Sequence, residues 1–325
     1  MIYGKKTAEN EPAGYIMFDV IMPVTRHHNN IACLSIMSLM RNVKPRRIYV
    51  VTARDNFSFF EKLQNQDPVM VLDENSLIPG VNLPSIIKFI ENAGQNHSRA
   101  GWYFQQFLKM YACFLPDITD HYLIWDADTV MLNPIRFLNE QNQTLIKPSP
   151  EYHQPYFETY ERLLGKTRSI NYSFISEHFF IVSAYMKELI AAIEEHATLK
   201  SHWVWNIMNA VDTEHLSGSG FSEFETYGNF VNTVHPGTFA LRPLASTRYG
   251  ARKFGPIPNR YDLYRLSLSN AYASFESWDT EGRPLKIWME KLLSAFIYYA
   301  DLRRYLRSSS RPEILRDQNA RIKLT

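Results

Sequence analysis

Two carboxylates two residues apart, Asp126 and Asp128, follow directly on the apolar run Tyr122-Leu123-Ile124-Trp125. The run is too short for a helix and reads as a strand buried on both faces. In an extended chain residues i and i+2 point to the same side, so the two carboxylates converge while Ala127 turns away. Such a pair suits one hard divalent cation, Mn2+ or Mg2+, which keeps its other positions for water and phosphate oxygens. Asp is also common in solvated turns after strands, and a bare Asp-x-Asp has little specificity. The carboxyl end of an apolar strand is where open α/β sheets place ligands, which favours the metal.

Other candidate groups lie downstream. Glu177 and His178 break into the apolar run Phe179 to Val182, where both need partners, in a site or as a satisfied structural pair. Glu223 follows the Gly218-Ser219-Gly220 stretch, which reads as a flexible loop able to admit a ligand. Ser222 and Glu225 have capping-box spacing, so the same segment also reads as a helix start. His235 precedes Pro236-Gly237 in a turn, where an imidazole serves either the structure or a metal.

The segment from Tyr122 to Val130 resembles the DxD region of nucleotide-sugar-dependent glycosyltransferases with the GT-A fold. Three further stretches, Gly101 to Lys109, Phe174 to His178 and Ser222 to Asn229, resemble a bacterial glycosyltransferase-like family of undefined acceptor, over about residues 16 to 245. The resemblance implies that Asp126 and Asp128 hold the metal on the donor diphosphate and that Lys109 meets the donor. Gln105 lies one helical turn before Lys109 and shares its face. Thr25 and Arg54, at the ends of the first two strands, are the expected nucleotide contacts. An inverting enzyme also needs a base for the acceptor proton, for which Glu223 is the first choice and Glu177 the second; a retaining enzyme does not.

The elements that must position these groups alternate between strand and helix. Phe18 to Thr25, Ile48 to Thr52 and Val69 to Asp73 read as strands, and Asn30 to Met40 as an amphipathic helix, which implies right-handed parallel crossovers. After Gly101, the residues Phe104, Phe107, Leu108, Tyr111 and Leu115 recur at steps of three and four and predict a helix feeding the carboxylate strand. A short strand over Leu145 to Pro148 and helices over Gln154 to Leu164 and Tyr185 to Glu195 are expected next. The fold class is therefore α/β, a GT-A-like, mostly parallel sheet flanked by helices with a helical carboxyl-terminal extension. The expected division is an amino-terminal extension over 1–15, a catalytic domain over 16–250 and a basic, mainly helical extension over 251–325 packing on the domain.

The chain has 325 residues, 45% of them hydrophobic and 21% charged, so it can bury a large core. Cys33 and Cys113 cannot build a disulfide framework, which points to a reducing compartment. No apolar run approaches the roughly 18 residues of a membrane span, and Met1 to Ala13 lacks the apolar core of a signal peptide, so a cytoplasmic location is expected. From Leu285 onward nine Lys or Arg face four Asp or Glu within a net charge of +2. No recognition motif accompanies this basic end, so nucleic acid is not the expected partner. Its residues Leu285, Trp288, Leu292, Phe296, Tyr299, Leu302 and Leu306 form one helical stripe beside Arg303, Arg304, Arg307 and Arg311. The stripe either packs on the catalytic domain or meets the inner face of an anionic plasma membrane.

The functional expectation is a metal-dependent, hexosyltransferase-like glycosyltransferase moving a sugar from a nucleotide diphosphate to a hydroxyl of a glycan or glycolipid. By analogy the acceptor belongs to a bacterial surface polysaccharide or glycolipid. Two alternatives use the same residues: a metal-dependent nucleotidyltransferase or phosphohydrolase, and a non-catalytic nucleotide- or carbohydrate-binding module. The absence of a Walker loop and of GxGxxG disfavours P-loop and dinucleotide folds.

Overall fold

A computed structural model describes residues 16–64, 67–197, 201–276 and 284–307. The expected amino-terminal extension and the residues beyond 307, including Arg311, lie outside the described residues, as do the side chains of Leu302, Arg304, Leu306 and Arg307.

The strands are β1 (Asp19–Pro23), β2 (Arg47–Thr52), β3 (Val69–Asp73), β4 (His121–Trp125), β5 (Thr129–Met131), β6 (Thr144–Ile146), β7 (His178–Val182), β8 (Phe239–Leu241), β9 (Ser246–Thr247) and β10 (Tyr272–Ser274). The helices are α1 (Asn29–Asn42), α2 (Phe57–Gln64), α3 (Glu74–Leu77), α4 (Leu83–Asn92), α5 (Ala100–Tyr111), α6 (Gln154–Leu164), α7 (Ser183–His196), α8 (Trp203–Ala210), α9 (Glu223–Val234), α10 (Gly250–Phe254), α11 (Arg260–Ser267) and α12 (Pro284–Arg307).

The central sheet has the order β3-β2-β1-β4-β7. Its first four strands are parallel, and β7 runs antiparallel to β4 with Trp125 opposite His178. Strand residues alternate between two cores. Ile21, Tyr49, Val51, Tyr122 and Ile124 join the core that α4 to α9 complete, whereas Val20, Met22, Val50, Leu123 and Trp125 join the one closed by α1 and α2. This is the three-layer logic of a buried, mainly parallel sheet, and the architecture is GT-A-like as the sequence leads one to expect.

Connections β1 to β2 to β3 step outward to one side of β1, and β4 is laid on its other side. The strand order therefore reverses between β1 and β4, and open α/β sheets place ligands beyond the carboxyl ends of strands at such a reversal. The segment following residue 250 adds more than helices. Its strand β10 pairs with β5, and Phe254, Leu263, Leu266 and Phe275 pack with Ile31 and Val130 in a third apolar cluster.

Two sequence expectations change in detail. His178 does not break into the apolar run but opens β7 with it, because the antiparallel ladder begins at the Trp125 pairing. Gly220 is packed: a Cβ there would meet Val211 Cγ1 at 2.3 Å, and its carbonyl accepts a hydrogen bond from Thr159 Oγ1 at 2.7 Å. Close approach of backbone explains that glycine better than loop flexibility does.

Candidate active site

Asp126 and Asp128 sit in a tight turn between β4 and β5, at the carboxyl end of β4. The turn is fixed from several sides. Thr129 N donates to Asp126 O at 3.0 Å, Trp125 Nε1 donates to Thr129 O at 2.8 Å, and Thr129 Oγ1 pairs with Ser274 Oγ at 2.7 Å. Because β7 is antiparallel to β4, its beginning lies beside the end of β4, and Asp126 N donates to Glu177 O at 3.0 Å. Phe275 N donates to Asp128 O at 2.9 Å, which brings Glu276 to the same place.

Asp126, Asp128, Glu177 and Glu276 thus gather around the turn, with Lys109, Arg248 and Lys147 among them. Lys109 Nζ, buried at the end of α5, lies 2.9 Å from Asp126 Oδ1 and 3.0 Å from Glu223 Oε1. Burial works against the Lys109 charge, but Asp126 and Glu223 outweigh it and hold the ammonium above its usual range. Arg248 Nε lies 3.1 Å from Glu177 and 3.4 Å from Glu276, and its Nη1 lies 2.8 Å from Glu151. Burial also opposes the Glu177 charge, yet the Tyr272 hydroxyl, donating at 2.7 Å, together with Lys147 and Arg248 keeps its carboxyl below the usual range.

Asp128 differs from its neighbours. Among the described residues no cationic side chain pairs with it. Burial, then the adjacent charges of Asp126 and Glu276, raise its carboxyl to about 7. The oxygens of Asp126 and Asp128 are the donors that could hold Mn2+ or Mg2+.

A second group has ligand-like spacing. Glu158, Asp212 and His215 are half-buried, place one ligand atom each within 4.8 Å of one another, and could coordinate a divalent metal. Asp212 there is already paired with Arg162 at 2.9 Å, and Glu158 accepts from Gln154 Nε2 at 2.6 Å.

Glu223 is the first residue of α9. Ser222 Oγ accepts from Glu225 N at 3.2 Å as the helix cap, and Gln106 Oε1 on α5 accepts from Glu223 N at 3.0 Å. The capping box is only half made, since the Glu225 carboxylate turns inward to Ser173 and Asn229. The helix start therefore has a structural cap, and Glu223 is left to meet Lys109.

The remaining expected residues divide. Thr25 is exposed just past β1, with Oγ1 3.2 Å from His28 Nδ1, and Arg54 is exposed just past β2. Gln105 is half-buried one turn before Lys109. Among the described residues no hydrogen bond or ion pair joins Thr25, Arg54 or Gln105 to the carboxylates. His235 is set apart. It lies beyond the far end of α9, about 18 Å along a twelve-residue helix from Glu223, stacked on Tyr185 with Nε2 2.6 Å from Glu188. Its partners satisfy it there, and it does not join Asp126 and Asp128.

His28, Glu276, Arg248 and Tyr272 were not expected in the site. His28 lies close enough to Asp126 for the carboxylate to oppose the lowering of its imidazole pKa, which burial and then His27 cause. The position of His28 three residues past Thr25 was a usable signal. The other three arrive through β9 and β10, whose pairing no local pattern announces.

No curated protein matches the chain. Among solved structures it is similar to the apo form of mouse xyloside xylosyltransferase 1, at 15% identity over 80% of this chain and 97% of that one, with a TM-score of 0.43. It is also similar to the galactosyltransferase LgtC in complex with donor and acceptor sugar analogues, at 11% identity over 92% and 99%, TM-score 0.44. A third likeness is the glycosyltransferase GlyE of Streptococcus pneumoniae, at 10% identity over 88% and 64%, TM-score 0.38. A family model matches residues 17–240, which hold the central sheet, Lys109, the carboxylate turn and Glu223, and the chain belongs to that family of unknown function, DUF6492.

Proposed function

We propose that this protein is a metal-dependent glycosyltransferase that moves a sugar from a nucleotide diphosphate to a hydroxyl acceptor. The observation that carries the reading is the Asp126–Asp128 turn at the reversal of strand order. There Asp128 is raised to about 7 among acids and Lys109 links Asp126 to Glu223.

A divalent cation on Asp126 and Asp128 would offset the charge that develops on the departing diphosphate. The chain's own residues do the rest. Thr25 and Arg54, at the carboxyl edge of β1 and β2, would meet the nucleotide, and Gln105 and Lys109 would meet the donor from α5. Lys109 also fixes the direction of the Glu223 carboxylate. In an inverting reaction the acceptor oxygen bonds to the sugar carbon, the bond from that carbon to the diphosphate oxygen breaks, and the acceptor proton passes to Glu223. Glu177 is kept ionised by Tyr272, Lys147 and Arg248, so it accepts a proton poorly, and it holds Arg248 as an ion pair.

The test is incubation of the protein with a panel of nucleotide sugars and Mn2+, following free nucleotide diphosphate. Release of the diphosphate supports the reading. Inorganic phosphate alone would make the protein a hydrolase, and donor binding without turnover would make it a binding module.

A further inference from the structure

Helix α12 turns its apolar stripe outward. Leu285 is 70%, Trp288 60% and Phe296 71% exposed, and Met289, Leu292, Leu293 and Tyr299 are exposed with them. At 3.6 residues per turn and 1.5 Å per residue these seven side chains fill about 140° of the circumference over about 21 Å of the helix. The helix is held by its other face: Ser294 and Tyr298 are buried, Tyr298 packs edge-on to Tyr261 and Tyr264, and Arg265 pairs with Glu290 at 2.7 Å. The described members of the stripe, Leu285, Trp288, Leu292, Phe296 and Tyr299, are thus half or more exposed.

Charge is sorted along the same helix. Among its described side chains the exposed charges are Lys286 and Arg303, both basic, at either end of the stripe. The acids are drawn inward, Glu290 to Arg265 and Asp301 to the Tyr264 hydroxyl. Beside the amino end of α12 a cavity of about 460 Å³ is lined by Arg252, Lys253, Arg265 and Lys286, with Glu290 as its one acid. A wide apolar face carrying Trp, Phe and Tyr, bordered by cations, has the composition of a helix lying in a membrane interface. No helix among the described residues is long and apolar enough to cross a membrane, so such a contact is peripheral.

We infer that α12 is a docking surface for an anionic lipid bilayer, with the stripe entering the headgroup region and the Arg252-Lys253-Lys286 hollow receiving lipid phosphate. A second copy of this chain is the competing occupant, and charge opposes it. Parallel pairing along the stripe sets Lys286 against Lys286 and Arg303 against Arg303, and antiparallel pairing sets Lys286 against Arg303.

The test is co-sedimentation of the full chain with vesicles of phosphatidylcholine alone and of phosphatidylcholine with phosphatidylglycerol, at low and high salt. Two variants accompany it: Trp288→Ser with Leu292→Ser and Phe296→Ser, and Lys286→Gln with Arg303→Gln. All five side chains are exposed and outside the candidate active site, and melting temperature checks the fold of each variant. The expected result is salt-sensitive binding to the anionic vesicles only, lost in the triple variant. It should weaken about 30-fold in the double one, the effect of two cations each worth about 1 kcal/mol near such a surface. No binding by the full chain, or equal binding to both vesicle types, overturns the inference. So does a lipid-free dimer in sedimentation velocity that the triple variant dissociates while vesicle binding stays unchanged.

Discussion

Asp126 and Asp128 are two residues apart but occupy different environments, and that difference predicts different behaviour. Asp126 is paired with Lys109, whereas Asp128 has no such partner among the described residues. Changing either to Asn removes a charge that a hard cation requires while keeping the shape. Calorimetric titration with Mn2+ is therefore expected to show binding in the parent and none in either variant, with diphosphate release abolished in both. Wild-type Mn2+ binding by both variants would shift attention to Glu158, Asp212 and His215. Lys109 behaves otherwise. Removing one member of a buried ion cluster leaves the others uncompensated, so Lys109→Met is expected to lower stability by about 3–5 kcal/mol in urea denaturation. Glu223→Gln retains a hydrogen-bonding partner for Lys109, so its loss should appear in turnover, by about 10²- to 10⁴-fold, with donor binding and melting nearly unchanged.

Helix α9 delivers Glu223, and its depth of packing decides where Glu223 stands. Gly228 lies at the closest approach: a Cβ there would meet the Phe174 ring at 2.2 to 2.5 Å, and Phe174 is itself buried against Phe179 and Phe239. Gly228→Ala must push α9 outward or displace that ring. The expected cost is about 1–3 kcal/mol in thermal or urea unfolding, with a fall in turnover although no site residue has changed. An alanine variant of parent stability and rate would show that α9 is free to move. The elements themselves were largely legible, for a physical reason. β4, α5 and α6 carry their periods locally, and Gln154–Leu164 was bounded by a proline at its start and a glycine at its end. What local periods do not carry is pairing between distant segments. Arg248 and Glu276 reach the carboxylates only because β10 lies against β5. His235 stands apart from the carboxylates for the complementary reason: a twelve-residue helix separates it from the residue that opens α9.

At the scale of the whole molecule the central sheet and the smaller β5-β10-β9 sheet meet at one imidazole. His178 opens β7 and packs on Trp125 of β4, on Phe137, and edge-on to Tyr272 of β10. It is buried, and among the described residues its Nδ1 has no hydrogen-bond partner. Burial lowers its pKa from 6.5 to about 4; Arg242 and Lys147 push the same way, while Glu177 opposes. The sign follows from linkage. Between pH 6.5 and 4 the unfolded chain has protonated this ring and the folded chain has not, so the unfolded state binds more protons and stability falls as pH falls. The window is worth about 3 kcal/mol for a shift of this size, at 1.36 kcal/mol per pH unit. Urea denaturation from pH 7 to 4.5 should show the parent losing stability steadily. His178→Gln cannot titrate, so its curve should be flatter over that interval even though its stability at pH 7 is lower. Parallel curves for parent and variant would mean that acid sensitivity resides in the carboxylates, and that the junction of the two sheets is indifferent to proton uptake at this ring.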